Sequence, residues 1–274
     1  MNWREYQSRQ RVMVLGERFL SYADVGEGEP VVLIHGIPTW GYLWHRQLTE
    51  LSAHHRVLIP DLLGFGYSDR SDRFDRSITV QAEALDAWLD GLGVERASLV
   101  AHDIGGGVAL RLATLFPHRV ARLCVMNAVC YDSWPIELML QFGHPEADRK
   151  LSAGNAIWVL HHGLKQGFAR SPDNELMAGL LAPYATEVGK LSLIRDAAAL
   201  NTNLTMELTV RLPDIRVPTL ILWGEEDRFQ VIRYAERLAG DIPGARMVAI
   251  ADARHFVMLD QPALVEARVR EFLA

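Results

Sequence analysis

Cysteine is scarce: Cys124 and Cys130 are the only two in 274 residues, too few for a disulfide framework. Both sit near one apolar stretch and read as small core residues, an expectation that goes with a reducing cytoplasm. No run approaches the roughly 18 apolar residues of a membrane-spanning helix, and the opening Met1-Asn2-Trp3-Arg4-Glu5-Tyr6 lacks the apolar core of a signal peptide. A cytoplasmic chain without a membrane partner is expected. Positive charge is not in excess either: 28 Lys and Arg stand against 34 Asp and Glu, a net charge of −6, with no basic cluster. Nucleic acid is therefore not expected as a partner. Repeats and low-complexity tracts are missing, and Asn203-Leu204-Thr205 matches a glycosylation acceptor that means nothing without secretion. What the chain has is apolar content, 49%, enough for one large core or a core with an inserted lid.

Along the chain, Arg11 to Leu15, a Gly16-Glu17 turn and Arg18 to Asp24 predict a hairpin. Val31-Val32-Leu33-Ile34 is a continuous apolar strand of the kind covered on both faces. It runs into His35-Gly36-Ile37-Pro38-Thr39-Trp40, and Tyr42 to Leu51 follows at helical spacing. Val57-Leu58-Ile59 is the next strand, then the turn-rich Pro60-Asp61-Leu62-Leu63-Gly64-Phe65-Gly66-Tyr67-Ser68-Asp69, in which Asp61 and Asp69 are expected to fix the glycine loop. A helix over Ile78–Leu92 precedes a strand at Ser98–Ala101, and a further strand covers Val120–Val125. From about Ala128 to Pro213 the strand signals vanish, and helices are predicted at Pro135–Phe142, Gly154–Lys165, Asn174–Leu181 and Lys190–Leu200. Alternation resumes with Thr219–Trp223, a helix over Val231–Leu238, the strand Met247–Ile250 and a final helix from Gln261 to Phe272. The pattern predicts an α/β protein with a mostly parallel sheet flanked by helices. Residues 1–127 and 214–274 would form the core, and 128–213 an inserted helical cap.

The chemistry centres on Leu99-Val100-Ala101-His102-Asp103-Ile104-Gly105-Gly106-Gly107. An apolar strand runs in, an apolar helical pattern runs out, and one carboxylate stands between, flanked two residues away by Ala101 and Gly105. Small residues at those flanks suit a sharp strand-to-helix turn that strains its central residue and presents it to a ligand. The alternative is an Asp that merely caps a helix. His102 is expected to point to the other side of the turn as a structural residue.

Ligands of such sheets sit at the carboxyl ends of the strands. Besides Asp103, three loops leave such ends: His35-Gly36-Ile37, Gly224-Glu225-Glu226-Asp227 and Ala253-Arg254-His255-Phe256. Nucleophile, acid and histidine in that chain order, with His35-Gly36-Ile37-Pro38-Thr39, Tyr42-Leu43-Trp44 and Pro60-Asp61-Leu62-Leu63-Gly64-Phe65-Gly66, resemble the α/β-hydrolase family over nearly the whole chain. An aspartate at the turn resembles the haloalkane dehalogenase and epoxide hydrolase branch. The resemblance implies a cofactor-free, metal-free hydrolase with Asp103 as nucleophile, His255 as base and Asp227 as the acid that orients it. The neighbours Glu225 and Glu226, and Asp132 beyond the Val120–Val125 strand, are alternative acids. The backbone N–H groups of Ile37 and Ile104 would hold an oxyanion, and Trp40, Trp134, Trp158 and Tyr184 would line an apolar substrate pocket. The partner expected is a small to medium neutral, hydrophobic molecule; a homodimer is left open.

Two positions depart from the dehalogenase pattern. Ile37 and Ile104 stand where those enzymes carry side-chain N–H donors for the departing halide, unless Trp158 or Asn201 substitutes. Epoxide hydrolases use cap tyrosines to protonate the ring oxygen, and Tyr184 and Tyr131 are the tyrosines on offer, beside His144, His161 and His162. Arginines that would bind a small acid do not follow Asp103. These departures place epoxide opening first, carbon–halogen cleavage second and ester or lactone hydrolysis third. A non-catalytic ligand receptor is the remote alternative.

Overall fold

A computed structural model describes residues 1–274. Eight strands form one sheet: β1 (Arg11–Leu15), β2 (Arg18–Val25), β3 (Pro30–Ile34), β4 (Arg56–Pro60), β5 (Ala97–His102), β6 (Val120–Met126), β7 (Thr219–Gly224) and β8 (Arg246–Ile250). Their spatial order is β1-β2-β4-β3-β5-β6-β7-β8. The hairpin β1–β2 and the β2–β4 pair are antiparallel, and every pairing from β4 to β8 is parallel. Strands β5 and β7 are buried along their whole length, which is why their sequences lack alternation. The edge strand β1 is mostly exposed.

Strand order reverses at β3, with β4 on one side and β5 on the other. The crevice beyond the carboxyl ends of β3 and β5 is thus the switch point where ligands of such sheets bind. The His35–Ile37 loop and Asp103 both leave the sheet there.

Between β6 and β7 the chain contains helices and no strand. Side-chain caps decide where several begin: Ser152 accepts from Asn155 N, Asp173 from Leu176 N and Thr186 from Gly189 N. The Thr186 cap starts its helix at Glu187, earlier than the apolar spacing from Lys190 predicts, and the helix ends at Ala198. Two single-turn helices, Ala147–Lys150 and Asn203–Met206, are too short to leave a periodic signature. Buried polar contacts fasten this segment to the sheet loops. Arg76 Nη1 donates to Asp196 Oδ1 at 2.7 Å and to Ser192 Oγ at 2.7 Å, and Ser192 Oγ donates to Gly64 O at 2.6 Å. Burial pushes Asp196 up to about 7 although Arg76 opposes it.

Candidate active site

Asp103 has φ 53° and ψ −123° between β5 and the helix Ile104–Leu115. A non-glycine residue held there costs on the order of 1–3 kcal/mol and persists only when its surroundings enforce it. The enforcing neighbours are small. A Cβ on Gly105 would lie 2.4 Å from His35 O, and one on Gly36 would lie 2.3 Å from Asp103 Cβ. The close approach at Gly105 is therefore to the end of β3. The carboxylate makes no capping hydrogen bond to its helix, so it is not a simple N-cap.

Its two oxygens differ in environment. Oδ1 accepts from Ile37 N at 2.8 Å, and the Ile104 amide dipole favours the charged carboxylate. Oδ2 lies 3.6 Å from His255 Nε2. His255 Nδ1 is 3.0 Å from Asp227 Oδ2. A carboxylate can only accept, so Nδ1 carries the hydrogen and Nε2 is left free toward Asp103. Asp227 is itself held: Oδ1 accepts from Phe229 N at 2.8 Å and Oδ2 from Asn127 Nδ2 at 2.6 Å. Asp103, His255 and Asp227 are all buried.

Burial would lower His255, but the Asp227 carboxylate, helped by Asp103, outweighs it and holds the imidazole above its usual range. Burial raises Asp103, with His255 and the two amides opposing. A helix N-terminus alone would hold this carboxyl down; desolvation works against it, and the net shift is upward. His102 stays out of the cavity lining, as a structural residue would, and packs against the histidine of the site. Its Nε2 donates to the His255 carbonyl at 2.9 Å, and the two rings lie 4.5 Å apart. Burial, then the His255 charge, push His102 well below the usual histidine range.

The alternative acids fall elsewhere. Glu225 and Glu226 are exposed, with Glu226 Oε2 3.6 Å from Arg254 Nε. Asp132 accepts from Tyr234 OH at 3.2 Å. The residue directly after β6 that reaches the site is Asn127, which sequence reasoning passed over. Its φ is 44°, a conformation asparagine tolerates better than most residues. Polar identity at the end of β6 was the available signal. Asp61 holds the glycine loop through its carboxylate, as expected, whereas Asp69 does so through its main chain and its carboxylate accepts from Ser71 N at 2.8 Å. Asp61 accepts from Gly41 N at 2.8 Å and Tyr67 N at 2.8 Å, and Asp69 O accepts from Gly64 N at 2.8 Å. Burial, partly offset by these amides, pushes Asp61 up to about 6.

A cavity opens above Asp103 and His255, lined chiefly by apolar side chains including Ile37, Ile104, Trp134, Leu138, Leu164 and Phe229. Of the four aromatic residues expected to line it, only Trp134 does so, with its Nε1 committed to Thr205 Oγ1 at 2.7 Å. Trp40 packs against Tyr6, Tyr42 and Tyr67 instead and donates to Gly179 O at 2.9 Å. Tyr184 is buried with its hydroxyl on Thr39 O at 3.2 Å. Trp158 is 63% exposed on the far side of its helix. Asn201 is exposed, its Oδ1 capping Asn203 N, and Tyr131 OH is spent on Asp241 at 2.7 Å. Neither Trp158 nor Asn201 replaces the missing halide donors. His144, His161 and His162 are not among the lining residues.

A cis-3-alkyl-4-alkyloxetan-2-one decarboxylase of Shewanella oneidensis is 28% identical over 93% of this chain and 85% of its own length. Haloalkane dehalogenase 2 of Mycobacterium bovis is 26% identical over 92% of this chain and 90% of its own. The crystal structure of an α/β-hydrolase fold protein from Burkholderia ambifaria superposes with a TM-score of 0.88 at 27% identity, covering 96% of this chain and 99% of that one. Residues 31–268 match the model of the alpha/beta hydrolase family, and with the sheet order and the strand-to-helix turn already described, the chain belongs to that family as one of its hydrolases.

Proposed function

We propose that the protein opens a neutral, largely apolar electrophile by attack of Asp103 at a saturated carbon, and frees the product by hydrolysis of the resulting ester. The observation that carries this reading is the division of labour within the Asp103 carboxylate. One oxygen rests on the Ile37 amide at 2.8 Å, and the other stands 3.6 Å from His255 Nε2. In the first step Oδ2 forms a bond to carbon, the bond from that carbon to the leaving group breaks, and its electron pair departs with the group. A carboxylate needs no base for this step.

Esterification removes the Asp103 charge, one of the charges that raise His255, so the imidazole becomes easier to deprotonate when a base is required. His255 Nε2 then takes a proton from water as the water oxygen attacks Cγ of Asp103. The oxyanion forms on Oδ1 facing the Ile37 and Ile104 amides, and removing one such donor costs about 3 kcal/mol. Collapse breaks the ester bond to the substrate, and the departing alkoxide takes the proton back from His255. Asp227 stabilises the imidazolium in between.

The lining also bears on the leaving group. Departure of an epoxide oxygen calls for a proton, yet the hydroxyls of Tyr184 and Tyr131 are bound elsewhere. Groups that leave as stable anions suit the cavity better: the carboxylate released on opening an oxetan-2-one at its saturated carbon, or a halide. The S. oneidensis relative, named for decarboxylating an alkyl-substituted oxetan-2-one, supports placing that ring first.

Intact-mass analysis of His255→Ala tests the scheme. Mixed with a 3,4-dialkyloxetan-2-one, it is expected to gain the full mass of the lactone on Asp103; with a 1-bromoalkane it gains the alkyl group alone. If the lactone ester loses carbon dioxide, the alkene appears in its place. Wild-type turnover of either probe with no adduct, no alkene and no heavy oxygen entering Asp103 from labelled water sinks the ester scheme.

A further inference from the structure

A leaving anion in an apolar cavity needs a hydrogen-bond donor, and Ile37 and Ile104 carry none in their side chains. Besides Asp103, His255 and the committed Trp134 indole, one polar side chain lines the cavity: Gln230. It is 1% exposed, and its Oε1 has no hydrogen-bond partner. An unpaired buried carbonyl is costly and calls for an explanation.

The backbone around Gln230 is pinned to the catalytic groups. Its carbonyl accepts from Trp223 Nε1 at 2.7 Å, and the preceding Phe229 N donates to Asp227 at 2.8 Å. The loop after β7 thus fixes the acid with one residue and sets a carboxamide against the cavity with the next. A half-turn about the last side-chain bond exchanges the amide NH2 and carbonyl ends. The same group can therefore turn its N–H donors toward an anion in the cavity.

We propose that Gln230 is a catalytic residue whose amide N–H receives the departing anion, a carboxylate or a halide, as Asp103 forms its ester. This assignment rests on the ester reading and names the group that reading lacks. It also explains why two isoleucines are tolerated beside the nucleophile: the donor comes from the loop that supplies the acid.

The test separates the two claims. Asp103→Asn supplies a neutral stand-in for the esterified carboxyl, and its affinity for hexanoate, bromide and 1-hexanol is measured by calorimetry. Adding Gln230→Leu is expected to weaken whichever anion binds by about 10- to 100-fold, the worth of a hydrogen bond to a charged group, while 1-hexanol binds as before. Loss with hexanoate alone identifies a carboxylate leaving group, and loss with bromide alone a halide. Gln230→Met, closer in shape, repeats the measurement and must give the same pattern.

Anion affinity unchanged by both substitutions, equal weakening of 1-hexanol, or no anion binding with Gln230 in place overturns the assignment. The adduct on His255→Ala is read separately. If it forms while anion binding ignores Gln230, the ester reading stands and the assignment falls; if wild-type turnover is confirmed with no adduct, no alkene and no heavy oxygen in Asp103, both fall.

Discussion

On the sheet side of the cavity each reacting group is tied to another: Asp103 to the Ile37 amide, His255 to Asp227, and Asp227 to Phe229 N and Asn127. On the helical side the lining is Trp134, Leu138, Met139, Leu164 and Leu200, and the nearby hydroxyls and indole N–H groups are used to hold the segment together. One side fixes geometry through hydrogen bonds. The other offers shape and an apolar medium, which strengthens the electrostatics of the first. Chemistry and selectivity are thereby placed on different stretches of chain and can change independently.

Substitutions on the two sides should separate accordingly. The largest effect is expected from Asp103→Asn, which removes the nucleophile: kcat/KM falls on the order of 10⁴-fold or more, measured on whichever probe the wild type turns over, and no label enters residue 103. Asn127→Ala loses the bond that steadies the acid and should lower kcat about 10-fold, with KM little changed. An unaltered kcat would show that Asp227 is held well enough by Phe229 N.

On the opposite side, Leu138→Ala is expected to raise KM about 10-fold at nearly constant kcat; a fall in kcat alone would break the division drawn above. Acid should inhibit the ester-forming step earlier than for an ordinary aspartate. The raised Asp103 loses its nucleophilic, ionised form as pH falls through a value above the usual carboxylate range. The burst of ester formation in a stopped-flow pH series checks this. Trp158→Ala should be nearly silent, within about 0.5 kcal/mol in stability and unchanged in KM, because the ring faces solvent.

The same division governs what could be read from the residues alone. Asp103, His255 and Asp227 announce themselves because each must stand just past an apolar strand, and strand ends are legible. The two isoleucines were legible for the same reason. The helical segment is not, since an aromatic residue there fits a cavity wall and a packed interface equally well. The residues alone place Trp40, Trp158 and Tyr184 in the wall, yet they are packing or surface residues; only Trp134 belongs to it. Asn127 and Gln230 went unseen because their roles depend on which neighbouring strand end they meet. That follows from the order β6-β7-β8, not from the residues beside them in sequence.

The histidine next to the nucleophile carries one more consequence. Because a main-chain oxygen can only receive a hydrogen, the ring at 102 is locked in one tautomer, and burial resists a second proton on it. Of the two adjoining imidazoles only His255 reaches the cavity, so only one stands where it can exchange a proton with a bound molecule. Nitrogen NMR of the pair should show one ring whose signals move with pH and one whose signals stand still.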